Sequence, residues 1–214
     1  MCKRWIFLTS LVAMLALSSA AQGTDYYVSP SGNDANSGTS PEQAWETIGQ
    51  VNLTTFAPGD SILFEGGQTF NGSIQLDASD SGTAASPVAI SSYGTGKATI
   101  YSADANGLFA HNCAGFEITE LIFGGSGNED ANGDSGLLFI NDLDTGVKLD
   151  YILINNVEVK DYFERGMYFL GPDPSASGFK NVTITNCVVH DCGNMGINAD
   201  GCLLYTSPSP RDRS

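Results

Sequence analysis

Basic residues are scarce in this 214-residue chain: 9 Lys and Arg face 24 Asp and Glu, a net charge of −15. Phosphate binding needs clustered Lys and Arg, so a nucleic-acid partner is disfavoured. A bare polyanionic glycan is disfavoured too, unless a bound cation bridges it to the protein. The acids also serve simply to keep an exported surface soluble. Cysteine is sparse, with no C-x-x-C pair and no Cys/His metal spacing. Apart from Cys2 and Cys202 there are Cys113, Cys187 and Cys192. A disulfide between two of these three is allowed outside the cytosol, but their spacing selects no pair. No apolar run reaches the roughly 20 residues of a membrane span. Trp5 to Leu17 is the nearest, and with Lys3 and Arg4 before it and Ser19-Ala20-Ala21 after it, it reads as a signal peptide over residues 1–21. The expected location is therefore extracellular or periplasmic, with no stable membrane insertion.

What is present is a repeat. Tyr151 to Gly171 recurs thirty residues later as Asn181 to Gly201: Ile152 and Ile154 match Val182 and Ile184, Asn156 matches Asn186, Val157 and Val159 match Cys187 and Val189, Asp161 matches Asp191, and Gly166 matches Gly196. Phe116 and Ile118 extend the series backward by thirty-six residues, and Val88 and Ile90 by twenty-eight more. Self-similarity at this period marks a solenoid. The irregular step is local, since thirteen positions separate Phe123 from Gly136 where seven separate Val159 from Gly166. The excess is the acidic loop Gly124 to Ser135.

Within each unit the apolar residues alternate with period two, the strand period. Three short strands per unit follow: one carrying Ile152 and Ile154, one carrying Val157 and Val159, and one after the glycine carrying Met167 and Phe169. Asn155-Asn156 and Thr185-Asn186 fall at the bend between the first two, where asparagine tolerates left-handed backbone. Equivalent strands one unit apart must pair in parallel at about 4.8 Å. The pattern predicts an all-β chain wound as a parallel β-helix over residues 81–201. Residues 22–80 differ in composition. Tyr26 to Val28 reads as a strand, and Pro41 to Leu53 as a helix with Trp45, Ile48, Val51 and Leu53 on its buried side. Such a helix would cap the first backbone edge. The final residues, 202–214, break the repeat and resemble one frame of a sequencing-library adapter, so the natural chain is expected to depart from this sequence near Gly201. Without Lys3, Arg4, Arg211, Arg213 and Asp212, 23 acids face 5 bases, a net −18.

The run Tyr26-Tyr27-Val28-Ser29-Pro30-Ser31-Gly32-Asn33-Asp34, then Trp45, then Pro58-Gly59-Asp60-Ser61-Ile62-Leu63-Phe64, then Ser91-Ser92-Tyr93-Gly94, resembles the amino-terminal half of secreted pectate-lyase-like right-handed parallel β-helix proteins. Asn181 to Asn186 and Gly196-Ile197 resemble that superfamily's repeat. The resemblance implies right-handed winding and a polysaccharide partner for a monomeric protein. It does not select an activity, because the superfamily includes lyases, hydrolases, epimerases and non-catalytic surface proteins.

Three regions carry candidate chemistry. A polysaccharide lyase needs a base for the proton α to the uronate carboxyl and a cation to neutralise that carboxylate. The corner between the second and third strands offers Lys160, Arg165, His190, Asp161 and Asp191, which the repeat brings onto neighbouring units. The catalytic candidates are Lys160, Arg165, His190 and Asp191. The acidic loop places Asn128, Asp130, Asn132 and Asp134 at alternate positions around Gly133, like the start of a Ca²⁺ loop, although Phe139 stands where the closing glutamate belongs. Asp161 is the fifth candidate ligand, and Ca²⁺ is the one cofactor suggested. Asn198-Ala199-Asp200 faintly resembles the Asn-x-Asp motif of β-helix galacturonan hydrolases, where paired acids protonate the leaving oxygen and activate water. Tyr168, Asn198 and Asp200 are the candidate substrate-binding residues. The expected function is a β-eliminating polysaccharide lyase, with a polygalacturonase-like hydrolase and a non-catalytic glycan-binding or adhesive β-helix as alternatives.

Overall fold

The computed structural model describes residues 23–127, 134–172 and 177–201. The proposed signal peptide, the terminal segment 202–214, and Asn128, Asp130 and Asn132 lie outside the described residues. The chain is a parallel β-solenoid built from three sheets. The first contains β1 (Asp25–Val28), β2 (Ser61–Glu65), β5 (Val88–Tyr93), β8 (Phe116–Thr119), β11 (Lys148–Asn155) and β14 (Gly178–Thr185). The second contains β3 (Thr69–Asn71), β6 (Ala98–Ala103), β9 (Leu121–Gly125), β12 (Glu158–Lys160) and β15 (Val188–His190). The third contains β4 (Ile74–Leu76), β7 (Leu108–His111), β10 (Ser135–Ile140), β13 (Arg165–Leu170) and β16 (Met195–Asp200). After β2 the chain returns to the first sheet four times, one strand per turn.

The period-two alternation fixes which side chains enter the core. On the first sheet Ile62, Ile90, Ile118, Ile154 and Ile184 are register partners from turn to turn. The first four are completely buried. Removing each from water is worth about 1.5–3 kcal/mol as an upper estimate. On the third sheet Phe139 lies over Phe169 with ring centroids 5.0 Å apart and planes 3° apart, and Phe179 meets both edge-on. The sequence-derived register is reproduced: Ile152 pairs with Val182 and Phe116, Val159 with Val189, and Met167 with Ile197.

Two corner devices recur in the later turns. Asn156 and Asn186 take left-handed backbone at φ 54° and 53°, and Glu120 takes the same conformation one turn earlier at φ 55°. At the start of the later third-sheet strands stands a glycine, Gly107 just before β7 and Gly136, Gly166 and Gly196 as the second residue of β10, β13 and β16. A Cβ on Gly107, Gly136 or Gly166 would fall 2.6 Å from the carbonyl oxygen of Gly136, Gly166 or Gly196 in turn, so each rung's glycine lets the next approach.

The amino-terminal segment departs from the single helix expected over Pro41 to Leu53. Pro41–Gln43 is a 3₁₀ turn and the α-helix α1 covers only Ile48–Asn52. Ala44 is extended between them, and the Asp34 carboxylate captures the backbone N–H groups of Glu46 and Thr47 at 2.8 and 2.9 Å, which ends any continuous helix there. Trp45, Ile48 and Val51 are buried as expected, but Leu53 is 82% exposed. Trp45 stacks on Tyr26 at 5.0 Å, and Phe56 meets Tyr26 edge-on. Cys113, Cys187 and Cys192 are free thiols. No helix among the described residues is long and apolar enough to cross a membrane.

Candidate functional site

On the outer face of the second sheet, β12 turns Val159 inward and leaves Glu158 and Lys160 facing out. β15 stacks His190 directly beside Lys160. Glu158 holds the group together: its Oε1 lies 2.9 Å from Lys160 Nζ and 3.4 Å from His190 Nε2. His190 Nδ1 lies 2.6 Å from Asp191 Oδ2. Asp191 and Asp161 share the left-handed corner conformation at φ 52° and 62°, which aims Asp191 back at the ring. Hydrogen bonding to Asp191, and then to Glu158, raises the His190 pKa above its ordinary value. Lys160 holds the Glu158 carboxyl below the usual carboxylate range.

A second group lies on the third sheet, next along the chain. Arg165 Nη1 is 3.0 Å from Glu164 Oε2, and its guanidinium carbon sits 4.2 Å above the Tyr168 ring. The Tyr168 hydroxyl donates to Asp200 Oδ2 at 2.8 Å, and Asn198 donates to the same oxygen at 3.1 Å. Asn194 donates to Glu164 Oε2 at 3.2 Å. Partial burial, and then the Asp200 carboxylate, raises the Tyr168 pKa. The Arg165 Nε is buried with no hydrogen-bond partner among the described residues.

The structure thus distributes the sequence candidates over two groups. Lys160, His190 and Asp191 come together through Glu158; Arg165 joins Tyr168, Asn198 and Asp200 through the Tyr168 ring. No ion pair or hydrogen bond joins the two groups among the described residues. Asp161 and Asp134 line a small cavity of about 10 Å³ with Asp104. Burial, and then Asp104, pushes the Asp134 carboxyl up, and its Oδ2 has no partner among the described residues. The described residues hold no set of three or more His, Cys, Asp or Glu gathered closely enough for a metal ion.

Sequence reasoning missed Glu158 and Glu164. Glu158 was recoverable, because it lies two residues before Lys160 and a strand puts both on one face. Glu164 precedes the strand, so no periodicity marks it. Every Lys and Arg among the described residues has a partner: Lys160, Arg165 and Lys180 meet carboxylates, Lys97 donates to Asn156 Oδ1 and Lys148 to the Ser177 carbonyl.

Comparison with known proteins gives partial relatives. No family model matches the chain. Over 80 residues, 36% of this chain, it is 40% identical to part of a lacto-N-biosidase from Bifidobacterium longum subsp. longum, the match covering 5% of that protein. It is similar to the crystal structure of a GH136 lacto-N-biosidase from Eubacterium ramulus, with a TM-score of 0.58 and 21% identity over 77% of this chain and 34% of that one. A rhamnogalacturonan lyase aligns with 87% of this chain and 64% of its own, at TM-score 0.49 and 12% identity. The chain therefore spans about a twentieth of the curated relative it matches and about a third of the solved one. At this identity the solved structure attests a shared β-solenoid fold.

Proposed function

We propose that this chain is part of a carbohydrate-active β-solenoid enzyme that hydrolyses glycosidic bonds, with the third-sheet group as its sugar-handling site. The observation that carries this reading is the Tyr168 hydroxyl held on Asp200 with Arg165 stacked on the ring and paired to Glu164. Asp200 and Glu164 supply two carboxylates beside one aromatic platform, the residue types that protonate a leaving oxygen and activate water. Arg165 fixes Tyr168 and Glu164. The 40% identity to a lacto-N-biosidase stretch supports hydrolysis. So does the electrostatics: a uronate polymer needs uncommitted cations, and here Lys160, Arg165 and Lys180 are already neutralised by carboxylates.

Elimination from a uronate is the second reading, favoured by Lys160 and His190 standing side by side on the second sheet. In it His190 takes the proton α to the uronate carboxyl and returns it to the departing glycosidic oxygen, Lys160 neutralises the carboxylate, and Ca²⁺ on the acidic loop bridges protein and polyanion. Either reading includes right-handed winding, a cap formed by residues 22–80, export from the cytoplasm and a monomeric protein.

The test is to follow reducing ends and unsaturated-uronate absorbance separately on neutral glycans, pectate and alginate, with and without Ca²⁺. Hydrolysis predicts reducing ends without new absorbance, and a loss of about 10²-fold or more in kcat for Asp200→Asn and for Glu164→Gln. New absorbance that requires Lys160 and His190 would overturn the hydrolase and establish the lyase.

A further inference from the structure

The outer face of the third sheet carries a row that neither charged group explains. Turn by turn, Gln75, Phe109, Leu138, Tyr168 and Asn198 are register partners, all on the side opposite the core. A parallel row holds His111, Ile140, Leu170 and Asp200. Phe109, Leu138 and Tyr168 are half-buried, so an apolar stripe crosses three successive rungs in a chain whose other outer faces are mainly polar. Contiguous apolar surface rimmed by polar groups marks a binding groove more often than an accident of composition. At one end is the Tyr168 and Asp200 group. At the other, the stripe runs into a cleft of about 250 Å³ lined by Asn52, Leu53, Gln75, Asp77, Phe109 and His111.

The cleft is organised around an aromatic pair. His111 lies parallel to Phe109, with centroids 6.0 Å apart and planes 10° apart. Its Nε2 is 3.1 Å from Asp142 Oδ2, and Asn112 donates to the other oxygen of that carboxylate at 2.6 Å. Leu53 stands over this end at 82% exposure. The result is a ring platform edged by Asn, Gln and carboxylate oxygens, the composition of a site that takes an apolar face bordered by hydroxyl groups.

We propose that this face is a glycan-binding track, occupied lengthwise by a neutral oligosaccharide whose pyranose faces lie on Phe109 and Tyr168 while Gln75, Asn198 and the flanking carboxylates take its hydroxyls. This rests on the hydrolase reading only for the end at Asp200; the cleft end stands on its own geometry. Three features choose the occupant. Phe109 and Tyr168 are two rungs apart, about 10 Å at 4.8 Å per rung, a spacing commensurate with every second unit of an extended glycan. Along the face Arg165 is already paired with Glu164, and Asp142 and Asp200 add carboxylates, so nothing there attracts a polyanion. Hydrogen-bonding groups bracket the stripe at both ends, Gln75 at one and Asn198 at the other, which a purely apolar partner would leave unsatisfied.

The experiment is binding, not turnover. The full chain is placed on an array of neutral oligosaccharides of increasing length together with oligogalacturonates and oligoalginates, and the same array is read for Phe109→Ala and Gln75→Ala. Phe109→Leu serves as the shape-conserving control, and circular dichroism verifies the fold of each variant. The track predicts that neutral oligosaccharides bind, that affinity rises with length until the stripe is filled, and that Phe109→Ala weakens the long ones by about tenfold or more, ~1.4 kcal/mol. Binding confined to uronates, binding indifferent to Phe109, no glycan binding, or a self-associated dimer that buries Phe109 would each overturn it. Failure of the hydrolase reading looks different: glycans would bind in a Phe109-dependent way and none would be cut.

Discussion

Gly136→Ala adds one methyl group at a corner, yet the geometry makes it a severe change. The new Cβ would sit 2.2 Å from Val159 Cγ1 and 2.6 Å from the Gly166 carbonyl oxygen. Val159 is completely buried and has a β-branched, rotationally restricted side chain. The Gly166 carbonyl belongs to the next rung, whose distance is set by parallel pairing at about 4.8 Å. Neither neighbour can retreat without lengthening ladder hydrogen bonds. Overpacking of this kind costs about 1–3 kcal/mol, and a clash with backbone belongs at the upper end, ~3 kcal/mol. At about 2–4 °C per kcal/mol for a chain of this size, Tm falls by about 6–12 °C. Gly196→Ala is the matched control: among the described residues its Cβ would meet only Val189 Cγ1, at an ordinary 3.7 Å. Thermal melts followed by circular dichroism distinguish the two. Equal shifts, or a Gly136→Ala variant as stable as the parent, would refute a space-driven glycine ladder.

His190 carries a pKa raised by Asp191 and Glu158, so its contribution to stability is fully present below the unfolded value near 6.5 and is lost as pH rises through the higher folded value. Thermal stability should therefore decline over that window above pH ~6.5, and His190→Gln should flatten the decline; an unchanged pH profile would remove the ion pairs from the account. Asp80 is 6% exposed and accepts the Phe56 and Asp77 backbone N–H groups at 3.0 and 2.9 Å. Asp80→Ala orphans both and should cost about 3 kcal/mol in a urea titration, with Asp80→Asn recovering part of it. The Ca²⁺ proposal for the acidic loop predicts that excess Ca²⁺ raises Tm and that Asp134→Asn abolishes the rise, whereas a Tm indifferent to Ca²⁺ removes the proposal.

The solenoid was legible because each rung states its pattern again. Ile152, Ile154, Val159 and Met167 could be indexed against Val182, Ile184, Val189 and Ile197 before any coordinates, since pairing in parallel forces repeated residues into contact. Outside the repeat that advantage vanishes. The periodicity of Trp45, Ile48 and Val51 described burial correctly, but the helix was cut short by Asp34, eleven residues before Trp45, through hydrogen bonds that no local pattern announces. The site was legible by position and not by partner. Strand alternation put Lys160 and His190 side by side, but that Arg165 bends onto Tyr168 and Glu164 depends on side-chain direction, which spacing does not encode.

The acidic insertion between β9 and β10 leaves the pairing on both sides untouched: Phe123 still meets Val159, and Leu137 still meets Met167. Corners on other rungs keep seven positions, Ile100 to Gly107 as well as Val159 to Gly166. Length at a corner is thus decoupled from the stack beneath it. Such a scaffold can be retailored by exchanging one loop at a time, in a genome or at the bench, and a grafted corner need only respect its two anchoring residues for the rest of the molecule to fold as before.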